Sequence, residues 1–215
     1  MNTDNSHENM KLRRLRRAVA ISGEMFLKRG IEDVKMTEIA DASGVGVATL
    51  YRYFGTKTGI TIAAMTHLWE ELKKMFSGVF ESEVFLAQSG LKQLSDLMRM
   101  YIVLFEAHKD FMKLLGEFDQ MMIRENVPKS ELEEYDRSII DFYRVYEDAC
   151  QRGIADGSIR EDVDFKLLYL TYAHAMMELC KKLIRGDILP SDSFSEGARE
   201  LEMLVATAVE YVRKK

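Results

Sequence analysis

Proline, the residue least compatible with a helix interior, occurs only twice in the 215 residues of the chain, at Pro128 and Pro190. Proline removes a backbone donor and clashes with the preceding turn, so a chain this poor in proline is free to form long helices. Apolar residues recur at helical spacing, and no stretch alternates with the period of two that is typical of a strand. The sequence therefore predicts an all-α fold of about nine helices.

The apolar pattern also predicts where individual helices lie. It begins at Lys11, after polar residues that are expected to be disordered, and Gly30 has the form of a helix C-terminus. A short second helix, with Thr37 as its cap, precedes a third. The predicted helices span residues 11–29, 37–43, 47–54, 56–80, 90–107, 109–125, 130–153, 164–185 and 194–213.

Charge is distributed unevenly along the chain. The formal net charge is −5, yet residues 10–57 carry +5 and residues 58–215 carry −8. A basic region meets phosphates locally even when the whole chain is acidic. We therefore expect two domains, a nucleic-acid-binding head over residues 10–57 and a larger helical body over residues 58–215.

Several classes of protein are disfavoured by what the chain contains. Cys150 and Cys180 lie apart in apolar helical surroundings, which favours buried thiols over a disulfide or a metal site. No apolar stretch approaches the ~20 residues that span a bilayer, and the N-terminus lacks the apolar segment of a signal peptide. A soluble, cytoplasmic protein with no cofactor, metal or membrane partner is expected.

The segment TEIADASGVGVATLYRYFGTK, from Thr37 to Lys57, has the form of two short helices joined by a tight turn. Gly44 supplies the positive φ that the turn needs. Leu50 and Phe54 are four residues apart and are expected to anchor the second helix to the core. The other residues of that helix then face solvent or DNA, as in a helix-turn-helix whose second helix enters the major groove.

This head resembles that of the tetracycline-repressor (TetR) family of transcription regulators. The matching residues are FLKRG at 26–30, TEIA at 37–40, GV at 44–45 and LYRYFGTK at 50–57. They agree in order and spacing, whereas the rest of the chain agrees only in length and helical character. The resemblance implies a three-helix N-terminal head, a larger C-terminal helical body, and regulation of transcription rather than catalysis.

The resemblance also implies roles for eight residues of the head. Phosphate contacts are expected from Thr37, Tyr51, Tyr53 and Lys57, and base contacts from Val47, Ala48, Thr49 and Arg52. Bidentate binding of guanine by an arginine contributes about 1–3 kcal/mol of discrimination, and the three smaller residues suit thymine methyl groups. For each tyrosine, packing of the ring against a neighbouring helix is the alternative.

The head departs from the family pattern at three positions. Gly46 replaces the serine that usually opens the recognition helix, and Val47 replaces a residue that is often polar. Gly59 replaces a glutamate of the fourth helix and is expected to lower its stability by about 0.5–1 kcal/mol. In addition, the arginines at 13, 14, 16 and 17 form either a phosphate-binding arm or a solvated helix face.

By the same resemblance, the body is expected to hold a pocket for a small apolar or amphipathic effector and to form a homodimer. Dimerisation is assigned to the helices at 164–185 and 194–213, and the operator is then palindromic. The apolar side chains of the body are either pocket residues or ordinary core. For His174, the alternative is a histidine with its hydrogen bonds satisfied, beside a solvated Glu178. The residues assigned to the pocket are Met98, Tyr101, Phe105, Phe118, Met122, Tyr143, Tyr146 and His174.

The expected mechanism is repression relieved by a ligand that favours the conformation unable to bind DNA. Two alternatives stay open. One is a regulator without a small-molecule effector. The other is an all-helical enzyme, which is disfavoured because the sequence contains no recognisable nucleophile, phosphate-loop or metal motif.

Overall fold

The computed structural model describes the backbone of residues 2–186 and 193–215, with side chains throughout except at 2–8, 140 and 141. These residues form ten α-helices, a short 3-10 helix at Lys129–Leu132 and no strand, which confirms the all-α prediction. The α-helices are α1 Asn2–Arg29, α2 Met36–Ser43, α3 Val47–Phe54, α4 Lys57–Phe80, α5 Glu83–Leu86, α6 Gly90–Ala107, α7 Lys109–Arg124, α8 Glu133–Ala155, α9 Phe165–Arg185 and α10 Gly197–Val212.

Helix α1 begins at Asn2, well before the predicted start at Lys11. The first residues are polar but include no glycine or proline, and a helix that is already nucleated extends at little cost through such a segment. Helix α2 begins at Met36 with Lys35 as its N-cap, so Thr37 lies inside the first turn rather than at the cap. The short helix α5 was not predicted.

The chain divides into two compact units. The first contains Met1–Lys74 and Leu114–Ser138, and the second contains Met75–Lys113 and Ile139–Lys215. The division falls within α4, α7 and α8, so the first unit takes in more than the head predicted at residues 10–57. The assignment of DNA binding to 10–57 and of effector binding and dimerisation to 58–215 stays a prediction.

In the first unit, α2 packs against both α1 and α3. Side chains from each of these helices close the core, and Phe26, Ile39 and Leu50 are almost completely buried. The segment from α7 and α8 adds a second cluster, in which the Trp69 indole N–H donates to the Tyr135 hydroxyl at 3.1 Å. Burial of these apolar side chains is the main source of stability in this unit.

In the second unit, α6 packs against α9 and α10. The hydroxyl of Tyr146 on α8 donates to the carbonyl of Leu97 on α6 at 2.6 Å. Cys180 on α9 is completely buried beside the Tyr101 carbonyl. These contacts make α6 the central helix of the unit.

The start of α6 lies against the end of α8 at two glycines. A Cβ placed on Gly90 would lie 2.0 Å from the backbone nitrogen of Gly153, so only glycine fits there. After α8, the Asp156 carboxylate accepts the N–H groups of Gly90 at 2.7 Å and of Ser158 at 2.9 Å. The close backbone contact and the carboxylate together fix where α6 begins.

Two further findings concern membrane-spanning helices and metal sites. No described helix combines the length and the apolar character needed to cross a membrane. Within the same described residues, no group of three or more His, Cys, Asp or Glu side chains is arranged to hold a metal ion.

Candidate nucleic-acid interface

Helix α3 has one buried face and one exposed face. Leu50 is 0% exposed, as predicted for the anchor, whereas Tyr51 and Tyr53 are 47% and 39% exposed. Ala48 and Arg52 are exposed as well, and Val47 and Thr49 are half-buried. Phe54 is only half-buried, because it is the last residue of the helix. Six of the eight side chains predicted to contact DNA thus lie on this short helix.

The turn between α2 and α3 has the geometry that the sequence predicts. Gly44 adopts φ 70°, in the left-handed region, and its N–H donates to the Ala40 carbonyl at 2.9 Å. Glycine adopts this conformation without the steric cost that a Cβ would add. Val45 is buried beneath the turn, and Gly46 caps α3.

An ion pair holds α2 against the end of α1. The Arg29 guanidinium donates to both Glu38 carboxylate oxygens, at 2.7 and 3.3 Å, and Glu38 also accepts the Lys35 N–H at 2.8 Å. The bond from Arg29 lowers the pKa of Glu38, and the same bond raises the pKa of Arg29. Because Thr37 lies in this first turn and is exposed, its hydroxyl and backbone N–H are available to an anion.

Lys57, the eighth residue predicted to contact DNA, opens α4. Its ammonium donates to the Glu32 carbonyl at 3.1 Å, in the loop between α1 and α2. The side chain is half-buried, and the ammonium is held next to the loop that leads into α2. Sequence reasoning gave Lys57 a role but no partner.

Tyr53 lies near two cations, one of which sequence reasoning missed. The Lys11 ammonium lies 4.9 Å from the centre of the Tyr53 ring, and the Arg52 guanidinium carbon lies 5.7 Å from it. Such contacts favour a cation over the ring face. The sequence did not indicate Lys11, because its contact with Tyr53 depends on how α1 packs beside α3. The basic composition of the segment was the one available signal.

Gly59 is required by a close approach that the sequence did not reveal. A Cβ at this position would lie 1.9 Å from the Phe54 carbonyl oxygen. The Gly59 N–H donates to the Thr56 hydroxyl at 3.1 Å, so Thr56 provides the side-chain bond at the start of α4. The departure from the family pattern at Gly59 therefore coincides with a tight α3–α4 connection.

The residues predicted for an effector pocket are divided between the two units. Phe118 and Met122 are buried in the first unit, where the Phe118 ring lies 4.7 Å from that of Tyr135. The others belong to the second unit. Within it, Met98, Tyr101 and Tyr146 are buried, Phe105 and Tyr143 are half-buried, and His174 is exposed on α9.

Tyrosines of the second unit form an aromatic cluster. The Tyr169 ring lies 5.0 Å from that of Tyr143 and 5.3 Å from that of Tyr146, both edge-on. Burial raises the pKa of Tyr101 and of Tyr146 well above the ordinary value of a phenol. These phenols are neutral at physiological pH and present hydroxyls among apolar side chains. Tyr169 was not among the predicted residues.

A second feature of this unit, also missed from sequence, is an apolar groove of about 470 Å³ between the end of α4, α5 and α6. Phe76, Phe80 and Phe85 form an aromatic series along it, and Val103 lines α6 at 43% exposure. Arg99 is at its edge and forms a bidentate pair with Glu202 of α10, at 3.2 and 3.1 Å. The groove combines apolar surface with two charged residues, Asp96 and Arg99.

Helices α9 and α10 leave large apolar side chains exposed. Leu167 and Met203 are 62% and 70% exposed, and Leu170 and Tyr211 are also exposed. Their opposite faces are packed, with Cys180 and Val205 buried in the unit. Each of the two helices predicted for dimerisation therefore has an uncovered apolar surface.

A basic helix-turn-helix whose second helix is exposed, on an otherwise helical chain, defines a DNA-binding transcriptional regulator. Residues 22–64 match the family model of the bacterial regulatory proteins of the tetR family. Over 159 residues the chain is 24% identical to the HTH-type transcriptional repressor KstR2 of Mycolicibacterium smegmatis, with 69% of each protein covered. Over residues 22–64 the chain is therefore similar to the bacterial regulatory proteins of the tetR family.

Solved structures of low sequence identity share the fold. A transcriptional regulator from Saccharomonospora viridis in complex with choline matches with a TM-score of 0.67 at 16% identity, covering 89% of this chain and 94% of that one. The regulator FadR from Bacillus subtilis in complex with stearoyl-CoA matches with a TM-score of 0.62 at 17% identity, covering 89% and 98%. The likeness extends over nearly all of both chains.

Proposed function

We propose that this protein is a homodimeric repressor that binds a palindromic operator and is released from it by a small apolar or amphipathic ligand. The observation that carries the DNA-binding part is the two-sided character of α3. Leu50 is fully buried, while Ala48, Tyr51 and Arg52 on the same helix are exposed. A helix anchored in this way is suited to lie along base edges in the major groove.

The contacts divide into two chemical kinds. Arg52 and the neighbouring Val47, Ala48 and Thr49 contact base edges, which specify the sequence. Thr37, Tyr51, Tyr53 and Lys57 contact phosphates, which set position and supply salt-sensitive affinity. The Lys57 bond to the Glu32 carbonyl supports this role, because it holds the ammonium beside the loop that precedes α2.

Selection of bound fragments from a random DNA pool, followed by affinity measurements at several salt concentrations, tests this assignment. Arg52→Ala is expected to lose about 1–3 kcal/mol of discrimination at one base pair of each half-site. Tyr53→Ala is expected to weaken binding to all sequences alike. Lys113→Ala, at an exposed lysine of the second unit, is the charge-matched control. Unchanged DNA affinity in both head variants, or no salt-sensitive binding by the wild type, refutes the assignment.

The homodimer is proposed to form through α9 and α10. The exposed side chains of Leu167, Leu170 and Met203 support this, because apolar surface on packed helices is usually covered by a partner. A two-fold dimer presents two copies of α3 about one DNA turn apart or a small multiple of it, which accounts for a palindromic operator.

Ligand relief is proposed to act through α4, which belongs to both compact units. A ligand that binds better to the conformation unable to hold the operator shifts the population towards release. The site is proposed in the second unit, where Met98, Tyr101, Phe105, Tyr143, Tyr146 and His174 lie and where the α4–α5–α6 groove offers apolar surface. Two of the similar solved structures are complexes, one with choline and one with stearoyl-CoA, and we therefore choose these two molecules as probes.

Thermal denaturation with choline or stearoyl-CoA, combined with release of bound operator, tests the ligand part. Val103→Glu places a charge in the groove, and Tyr101→Ala truncates a buried residue of the predicted pocket, so the two variants separate the two locations. A ligand that raises the melting temperature and releases DNA is expected to lose both effects in one variant. If a broad panel of apolar and amphipathic ligands neither stabilises the protein nor releases DNA, it is a regulator without a small-molecule effector.

A further inference from the structure

A cleft of about 460 Å³ opens beside the helix-turn-helix in the first unit. One wall is α1, through Lys11 and Arg14, and the other is formed by the Gly44–Gly46 turn together with Arg52 of α3. Its lining also includes the buried side chains of Leu15 and Val45. Among the side chains that the structure describes, those that line the cleft include the three cations Lys11, Arg14 and Arg52 and no carboxylate.

The cleft adjoins the exposed face of the recognition helix. Thr49 and Arg52, both proposed to contact bases, line it. The Lys11 ammonium lies 4.9 Å from the centre of the Tyr53 ring, so the side chain of α1 reaches the same helix. Both Lys11 and Arg14 lie within α1, which spans Asn2–Arg29.

We propose that Lys11 and Arg14 bind a DNA backbone phosphodiester in this cleft. The inference rests on the proposed function, because it requires α3 to lie in the major groove. That groove is ~12 Å wide and is bordered by sugar–phosphate backbones, so a cationic cleft beside the inserted helix meets a phosphate. The site adds a contact outside the helix-turn-helix residues assigned above.

The same geometry assigns different roles to the arginines of α1. Among Arg13, Arg14, Arg16 and Arg17, only Arg14 lines the cleft. At 3.6 residues per turn, Arg13 and Arg16 project from the other side of the helix, well away from the face that carries Lys11 and Arg14. Arg13 and Arg16 are exposed and belong to a solvated face. The basic residues of α1 therefore have two roles. Lys11 and Arg14 bind phosphate, whereas Arg13 and Arg16 only face solvent.

The test compares two double variants of the full-length protein, Lys11→Ala/Arg14→Ala and Arg13→Ala/Arg16→Ala. Each removes two exposed positive charges from the same helix and replaces them with the same residue, so net charge and helix propensity are matched. Operator affinity is measured from about 50 to 300 mM salt, together with affinity for a scrambled sequence. The slope of log affinity against log salt is expected to fall by about one for each phosphate-contacting cation removed.

The cleft variant is expected to bind operator at least tenfold more weakly at physiological salt, with the operator-to-scrambled ratio unchanged and the Arg13/Arg16 variant close to wild type. Equal losses in the two variants overturn the inference and leave DNA binding intact. A wild type that binds no DNA overturns both proposals. If inorganic phosphate raises the melting temperature of the wild type but not of the cleft variant, while both have the same DNA salt slope, the site takes free phosphate and not DNA.

Discussion

The Glu117 carboxylate on α7 accepts a hydrogen bond from the backbone N–H of Ile31 at 2.9 Å, although the two residues are 86 positions apart. Ile31 follows Gly30, whose φ of 82° ends α1. By accepting the Ile31 N–H just after the end of α1, the Glu117 carboxylate fixes the start of the loop that leads into α2. The bond thus links the α7 part of the first unit to its helix-turn-helix part.

Removal of this carboxylate is expected to destabilise the first unit. Glu117→Ala leaves the partly buried Ile31 N–H without its acceptor and should lower the free energy of unfolding by about 1–2 kcal/mol. Urea denaturation followed by circular dichroism measures the change. Glu24→Ala, at an exposed glutamate of α1, serves as the control and should have little effect. Equal stability of the two variants would contradict the role of Glu117.

For Gly59→Ala, helix propensity and packing predict changes of opposite sign in the free energy of unfolding. Propensity alone predicts that Gly59→Ala stabilises α4 by about 0.5–1 kcal/mol. Because the new Cβ would lie 1.9 Å from the Phe54 carbonyl oxygen, we expect the substitution to lower the free energy of unfolding by about 1–3 kcal/mol. Gly78→Ala in the same helix, where a Cβ meets nothing within 4 Å, should be stabilising. Thermal melts of both variants decide between the signs.

Local patterns predicted most of the helical fold, and the details that depend on packing could not be predicted. Proline scarcity and helical periodicity are local features of the sequence, and they were sufficient to predict the helices. Gly44 is also a local feature, and it was sufficient to predict the turn between α2 and α3. The start of α1 at Asn2 was missed because composition suggested disorder where nothing interrupts a helix. The role of Gly59 depends on the path of the chain after α3, which no short-range pattern encodes.

The candidate site was predicted to a similar extent. The motif placed Tyr51, Arg52 and Tyr53 on α3, and the structure exposes all three. It did not indicate Lys11 or the Glu32 partner of Lys57, because these neighbours come from other parts of the chain. In the body, apolar periodicity does not distinguish pocket from core, and the α4–α5–α6 groove has no sequence signature of its own.

A charge placed on the exposed face of α10 is expected to prevent dimerisation without unfolding the protomer. Met203 is 70% exposed, so Met203→Glu should shift the protein towards monomer and weaken operator binding sharply. Sedimentation velocity measures the first effect and DNA titration the second. The control is Ile123→Glu, because Ile123 on α7 is 80% exposed in the first unit. A dimer that persists in Met203→Glu would locate the interface elsewhere.

Asp156 is expected to make stability depend on pH. Hydrogen bonds from Ser158 and Gly90 hold the pKa of this carboxyl below its ordinary value. Its contribution is therefore present above the unfolded pKa of about 3.9 and is lost as pH falls through the lower, folded pKa. The difference in unfolding free energy between wild type and Asp156→Asn should be largest near pH 7 and shrink towards pH 3. A difference independent of pH would contradict this cause.

The two thiols are expected to be inert in the folded protein. Burial raises the pKa of Cys180 to about 12 and also raises the pKa of Cys150. At pH 8 only about one Cys180 thiol in ten thousand is then ionised, and the thiolate is the reactive form. Iodoacetamide should label neither residue in native protein and both in urea. Rapid labelling of native protein would show that the α9 environment opens readily.

The Gly90–Gly153 contact limits how the second unit can rearrange. Two helices whose backbones already touch have no room to move closer, since even one methyl group at Gly90 would lie 2.0 Å from a backbone nitrogen. A rearrangement of α6 against α8 is therefore expected to be a rotation about this contact and not a closer approach. A small rotation about this contact would displace the turns of α6 and α8 that lie far from it more than the turns close to it. A ligand bound at those distant turns would therefore have the largest effect on the angle between the two helices.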